Sequence, residues 1–373
     1  MIVKLKAFLY FVYMFLFTCF KGYLRWRTVD SLEETIFVYY GHDRIPLRGE
    51  KISGGIVKCQ DLAQVYPNTL KGANILYLVS SALPPFPELV VRIAKMRGVK
   101  LVVNQNGVAI PAYHGTKLEI INKPRRFLLE HADHVIYQSM YCKVSSDIFL
   151  TTKVSSYSIL MNPVDVTQFS DKKRGLTTSP PMLLLAGSHG HFHRVKAAVD
   201  VVRCLKEKGV TVCLKIIGRL AWNASVEYCL AEVQQYCDLM GVKECVEIGG
   251  TYSQEEAAGL YRMADILLHT KYNDPCPRVV VEAMASGLPV VYSASGGVGE
   301  LVGMDAGIGV SVPEGWDTIQ LPDPEAMANG VISILEEYQR YSYQARERVV
   351  TSLDVQYWLD KHRELFESLQ KNC

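Results

Sequence analysis

From residue 35 onward, short apolar runs alternate with amphipathic stretches, and this alternation limits the fold more than any other feature. TIFVYY, NILYLVSS, KLVVNQ, HVIYQS and SYSILMN are rich in Val, Ile and Tyr and read as strands. Between them GGIVKCQDLAQVY, PELVVRIAKMRG and PRRFLLEHA carry apolar residues at helical spacing. Nearly continuous apolar strands need cover on both faces, which predicts parallel sheets of the α/β class. The polar, Pro-containing stretch DKKRGLTTSPP (171–181) lacks periodicity and reads as a linker. The alternation then restarts with PMLLLAGS, VCLKIIG, CVEIGG, DILLHT, PVVYS and GIGVSV as strands. RVKAAVDVVRCLKEKG, ASVEYCLAEVQQYCDLMG, SQEEAAGLYRMA and RVVVEAMASG are the intervening helices, and the tail from Pro322 to Lys371 is helical in pattern.

The expected organisation is two doubly wound, Rossmann-like domains, 31–170 and 182–350, facing across a cleft. Residues 351–373 form a final helix packing back on the first domain. A length of 373 residues suits about two domains. A composition of 49% hydrophobic and 21% charged residues is that of a globular chain. The net charge of +2 excludes a general electrostatic affinity for nucleic acid, so no nucleic-acid partner is expected. The 10 cysteines show no metal-binding spacing and read as reduced, mostly buried thiols of a cytoplasmic protein.

Residues 1–30 stand apart. Ala7 to Phe20 is a run of 14 uncharged, mostly apolar residues, with Lys4 and Lys6 before it and Lys21, Arg25 and Arg27 after it. A bilayer span takes about 20 such residues, and no small-x-small cleavage site follows. The segment 1–28 reads best as a helix lying in the membrane interface, peripheral or monotopic. A packed core helix and a true span are the alternatives.

Asp274 and Glu282 bracket the loop and helix start in NDPCPRVVVEAMASGLP. Near a helix N-terminus Glu282 is favoured by the dipole, and its carboxylate could accept from two neighbouring hydroxyls such as a ribose offers. Alone, the pair reads equally as N-capping or salt bridging. The wider pattern says more. Asp274, seven residues, Glu282 and then AMASGLPVV resemble the acid motif of the retaining glycosyltransferases of family 4, which have the GT-B fold. VEIGGTYSQEEAAGLYRMADILLHT before the motif, SASGGVGELV after it, and HADHVIYQS and LMNPVDVTQF in the first domain extend the resemblance over roughly 35–370.

The resemblance implies a hexosyl transfer, with retention, from a nucleoside-diphosphate sugar to an acceptor hydroxyl. Neither metal nor other cofactor is implied. Glu282 would bind the donor ribose and Asp274 the transferred sugar. Ser53-Gly54-Gly55 and the glycine-rich Gly296-Gly297 would lie along the donor. Ser188 stands where the family commonly has an arginine, so Arg194, Lys196 or Arg219 would neutralise the departing diphosphate. Asn106, where many members have a histidine, would orient the sugar. His189, His191 and His193 lack nearby carboxylates and read as a ligand-contact or surface loop rather than a metal site. Two features depart from the family: Asp274 replaces the usual glutamate, and Asn106 cannot act as an acid or base. The acceptor is a lipid-linked molecule or a cell-surface polysaccharide intermediate. Competing readings are a non-catalytic, membrane-associated sugar-nucleotide-binding subunit and a GT-B epimerase or phosphorylase.

Overall fold

The computed structural model describes residues 2–20, 35–47, 50, 54–169, 175–176 and 179–371. Ser53, residues 21–34 and part of the expected linker (171–174 and 177–178) lie outside the described residues. The chain divides into two compact units. One runs through Leu160 and resumes at Trp358; the other is Met161–Tyr357.

The first unit holds helices α1 (Ile2–Phe20), α2 (Gly54–Ala63), α3 (Pro87–Met96), α4 (Pro111–His114), α5 (Leu118–His131) and α6 (Met140–Phe149). Its strands are β1 (Val38–Tyr39), β2 (Ile75–Val79), β3 (Lys100–Gln105), β4 (His134–Tyr137) and β5 (Tyr157–Ile159). They pair in parallel and follow chain order, β1-β2-β3-β4-β5. Right-handed crossovers that always step the same way stack their helices on one face. Tyr77 of β2 is covered instead by the C-terminal helix, whose His362 and Phe366 meet its ring. Among the described residues this sheet shows no reversal of strand order.

The second unit contains that reversal. Its strands are β6 (Met182–Leu185), β7 (Cys213–Ile216), β8 (Val246–Ile248), β9 (Ile266–His269), β10 (Val290–Ser293) and β11 (Gly307–Val310). Their order is β11-β10-β9-β6-β7-β8, all parallel. The direction of winding switches between β6 and β9, the place where such sheets bind ligands at their carboxyl ends. Helices α7 (Phe192–Glu207), α8 (Val226–Leu239), α9 (Gln254–Met263), α10 (Arg278–Ala285) and α11 (Val298–Val302) connect these strands. α12 (Pro324–Glu336), α13 (Tyr338–Ser352) and α14 (Val355–Lys371) form the tail, with α14 entering the first unit at Trp358.

The run MLLL shows why both faces are covered. Leu183 and Leu185 enter one core with Val199, Leu214 and Val331, whereas Leu184 enters the opposite core with Val280, Val290 and Ala345. Each buried aliphatic side chain contributes roughly 1.5–3 kcal/mol, so a strand apolar on both sides is stable only between two helical layers.

Two boundaries differ from those predicted. The turn at 161–169 lies in the second unit, not at the end of a first domain reaching 170. Its backbone is claimed there: Val164 N donates to Leu353 O (3.0 Å), and Val355 N donates to Val164 O (2.9 Å). Helix α5 begins at Leu118, so Pro124 lies within it rather than at its start. No helix among the described residues is long and apolar enough to cross a membrane.

Candidate active site

In the second unit the site is built on the loop between β9 and α10. Asp274 is 8% exposed. Lys271 Nζ stands 3.1 Å from its Oδ1, and His269 Nε2 stands 3.2 Å from its Oδ2. Burial alone would raise this carboxyl, but Lys271, His269 and Arg194 outweigh it and hold it below the ordinary carboxylate range. Burial keeps His269 below its ordinary value despite Asp274, so the ring is neutral near pH 7. Asp274 is therefore a buried, ionised carboxylate whose countercharge comes from a lysine and an arginine.

The loop owes its shape to the glycine-rich stretch after β10. Gly296 has φ +69°, and a Cβ there would lie 2.3 Å from Asp274 O. Gly297 N donates to Asp274 O (2.8 Å), and Asn273 N donates to Ser295 Oγ (2.9 Å). Gly296 and Gly297 thus set the backbone of the acid loop, and the Gly297 amide, predicted to lie along the donor, is directed to Asp274. From the other side, Asn162 Nδ2 donates to Cys276 O (2.6 Å).

The predicted cations separate. Arg194 is 5% exposed, donates from NH1 to Ser188 O (2.6 Å), and its own carbonyl accepts from Thr270 Oγ1 (2.8 Å). It belongs to the Asp274 group. Lys196, two residues on, turns to the other side of α7. There it pairs with Asp200 (2.9 Å) and lies over the Tyr236 ring. The structure does not bring it to Asp274; Lys271 supplies the second positive charge instead. Arg219 is exposed, and its carbonyl accepts from His189 N (2.8 Å). That bond closes two loops at Gly187 and Gly218, where a Cβ on Gly218 would lie 1.8 Å from Gly187 O. Ser188 is exposed beside them.

His189 is fully buried rather than part of a surface loop. Its Nε2 donates to Ile217 O (3.0 Å), which leaves Nδ1 as an unprotonated acceptor with no hydrogen-bond partner. Burial and then Arg194 push its pKa down to about 3. His191 and His193 stack on each other with ring centroids 5.2 Å apart.

Glu282 has a partner set of its own. It stands in the second turn of α10, not among the free amides of the helix start. Tyr261 OH donates to Oε2 (3.1 Å) and Arg278 Nε to Oε1 (3.0 Å), and the residue is 7% exposed. Burial and then Glu282 raise the neighbouring Tyr252 phenol to about 12.

In the first unit a smaller group lies at the carboxyl ends of β2 and β3. Ser80 Oγ donates to Asn106 Oδ1 (3.0 Å) and accepts from Asn106 N (3.0 Å), while Asn106 Nδ2 donates to Ser81 Oγ (2.7 Å). Gly55, near the start of α2, fits against Ser81: a Cβ would lie 2.5 Å from its Oγ. A Cβ on Gly54 would meet nothing. The structure therefore joins Asn106 to Gly55 through Ser81.

With this geometry in place, the chain can be set beside known proteins. Residues 166–348 match the family model of glycosyl transferases group 1. That match covers just under half of the chain and most of the second unit. The putative colanic acid biosynthesis glycosyltransferase WcaL of Salmonella typhimurium is 24% identical over 194 residues, 50% of this chain and 43% of that protein. The chain spans less than half the length of this curated relative. A glycosyltransferase from Rickettsia africae superposes with a TM-score of 0.62 at 16% identity, covering 81% of this chain and 78% of that one. Anabaena HepE in complex with UDP gives 0.62 at 18% identity, covering 84% and 81%. The fold is GT-B, with a parallel α/β architecture in each unit.

Sequence reasoning missed Lys271, His269, Tyr261 and Asn162. Lys271 and His269 were readable as polar residues at a strand end, three and five residues before Asp274. Tyr261 carried no local signal, since its partner lies 21 residues away, and the turn LMNPVDVTQF marked Asn162 without its partner, 114 residues on.

Proposed function

We propose that the protein is a retaining, family 4 glycosyltransferase that moves a hexosyl group from a nucleoside-diphosphate sugar to an acceptor hydroxyl. The observation that carries this reading is Asp274, a buried carboxylate kept ionised by Lys271 and Arg194 at the strand-order reversal of a group 1 domain. Departure of a nucleoside diphosphate builds negative charge on the leaving group and positive character on the sugar. Preorganised cations and a carboxylate oppose both without reorganising at the moment of reaction. Lys271 and Arg194 face the diphosphate, Asp274 holds the transferred sugar, and Glu282 accepts from the donor ribose. Asn106, held by Ser80 and Ser81, is the residue assigned to orient the sugar. No bound metal is required, because side-chain cations supply the countercharge.

The UDP held by HepE makes uridine the first base to test. The protein is incubated with a panel of nucleotide sugars, release of nucleoside diphosphate is followed, and the anomeric configuration of the product is read by NMR. Retention with a diphosphate leaving group supports the reading. Binding without turnover of any donor would favour a non-catalytic sugar-nucleotide-binding subunit, and an epimerised donor would favour an epimerase.

α1 exposes Leu9, Tyr10, Tyr13 and Leu16, the pattern of a helix resting in a membrane interface. We read the protein as an enzyme at the cytoplasmic face of a membrane, acting on a lipid-linked acceptor or a polysaccharide intermediate.

A further inference from the structure

The first unit holds a half-open cavity of about 320 Å³ beneath the N-terminal helix. Met14 and Phe17 of α1 and Val90 and Ile93 of α3 contribute its apolar wall, while His42 and Arg44, from the loop after β1, contribute polar lining. We propose that this cavity takes the apolar chain of an amphiphilic acceptor, whose hydroxyl-bearing head lies along residues 42–44 toward Asn106.

Size supports a chain segment rather than a whole lipid. Ligand pockets span roughly 300–1,000 Å³, and an apolar cavity of about 150 Å³ already holds benzene. The polar lining leads to the candidate site through hydrogen bonds. His42 Nε2 bonds Ala82 O (2.9 Å), and the next residue back, Ser81, accepts from Asn106 Nδ2 (2.7 Å). Chain and head would therefore sit on one continuous surface at the carboxyl edge of the sheet.

Next to the lining residue Pro85 the backbone takes an unusual turn that holds α1. Phe86 adopts φ 52°, a left-handed conformation costly for an aromatic residue, and its ring meets Phe11 and Phe15 of α1 at 5.1 and 5.8 Å between centroids. Such strain persists where surrounding contacts over-determine it, and it gathers at ligand sites. On its other side α1 exposes apolar residues, Leu9 at 57% and Leu16 at 59%. An amphiphile leaving a bilayer would meet that side first and the cavity immediately behind it.

The nature of the head rests on the glycosyl-transfer reading; the preference for an alkyl chain does not. The test is therefore binding without donor. Butyl, hexyl, octyl and decyl glucoside, each below its micellar concentration, are titrated calorimetrically into the full chain. Affinity is expected to rise about fourfold per methylene until the cavity is full, with one site per chain. Thr18→Trp, from the cavity lining on α1, and Val90→Phe, from α3, are each expected to weaken decyl glucoside binding at least tenfold. Circular dichroism and the thermal shift produced by UDP should match those of the parent. Affinity independent of chain length, competition by free glucose, or parental binding in both folded variants would overturn the proposal. Chain-dependent binding in a protein that turns over no nucleotide sugar would leave the cavity standing and sink the transferase reading alone.

Discussion

The side chain of Asn162 donates a 2.6 Å hydrogen bond to the carbonyl of Cys276, tying the turn that opens the second unit to the loop between its two acids. Asn162 N also lies 3.4 Å from Cys276 Sγ, and the asparagine is 7% exposed. Replacing it with alanine leaves a buried carbonyl without its donor, which costs about 1–3 kcal/mol. In a unit of this size that is a fall in melting temperature of roughly 2–10 °C. Because the loop also carries Asp274, Asn162→Ala should lose turnover as well. Unchanged melting and unchanged kinetics would show that the bond does not position the loop.

The separation of the two lysines gives a sharp comparison. Lys271→Met and Arg194→Met remove charge beside Asp274 and should each lower kcat on the order of 10²-fold, the scale of losing one preorganised transition-state donor. Lys196→Met removes only a partly exposed ion pair with Asp200, worth about 0–1 kcal/mol of stability, and should leave kcat near parental. Steady-state kinetics of the three variants settle the assignment; an equal loss in all three contradicts it.

Glu282→Ala should weaken donor binding and also destabilise the fold, because Tyr261 and Arg278 lose a buried acceptor. Tyr261→Phe separates these effects. It removes the same hydrogen bond but leaves the carboxylate in place, so it should lower the melting temperature with little change in donor dissociation constant. If Tyr261→Phe weakens the donor as much as Glu282→Ala does, the ribose role of the carboxylate is wrong.

A buried polar chain in the first unit makes its stability pH-dependent. Gln138 Nε2 donates to Asn104 Oδ1 (2.8 Å) and Asn104 Nδ2 to the Tyr77 hydroxyl (3.0 Å). The hydroxyl donates to His362 Nε2 (3.0 Å), and His362 Nδ1 donates to Trp358 O (2.8 Å). Burial lowers His362 to about 4, against about 6.5 in the unfolded chain. The unfolded state therefore binds more protons between these values. The contribution of His362 is full above about pH 6.5 and is lost toward pH 4, at up to roughly 1.4 kcal/mol per pH unit. Thermal melts from pH 7.5 to 5 should show this fall, and His362→Gln should melt lower at pH 7.5 but with a shallower slope. A variant with the parental slope would exclude this histidine as the source.

Deletion of residues 1–28 should release the protein from anionic vesicles without unfolding either unit. The basic residues flanking the apolar run contribute about 1 kcal/mol each near anionic lipid, and burial of Phe, Leu and Tyr adds more. Co-flotation paired with circular dichroism checks both halves. A truncated protein that still floats, or that melts early, removes α1 as the anchor.

The sequence alone determined the secondary elements and their class. Each predicted run contains a strand, because consecutive apolar residues such as Leu183, Leu184 and Leu185 are stable only with cover on both faces. Helix α6 escaped notice: MYCKVSSDIF has weak helix propensity, and its start depends on Ser139 Oγ accepting from Cys142 N. Asp274 and Glu282 stand out in the sequence because their spacing lies within one loop and helix, and the structure buries both. Tertiary structure alone decided which cations serve them. Helix phase turns Arg194 toward Asp274 and carries Lys196, two residues on, around to Asp200 and Tyr236. It also decided that Glu282 lies a turn inside its helix, that Asn162 belongs to the second unit, and that Gly297 spends its amide on Asp274. These are hydrogen bonds and ion pairs between segments distant in sequence, and no local pattern encodes which loops the parallel strands will bring to one edge.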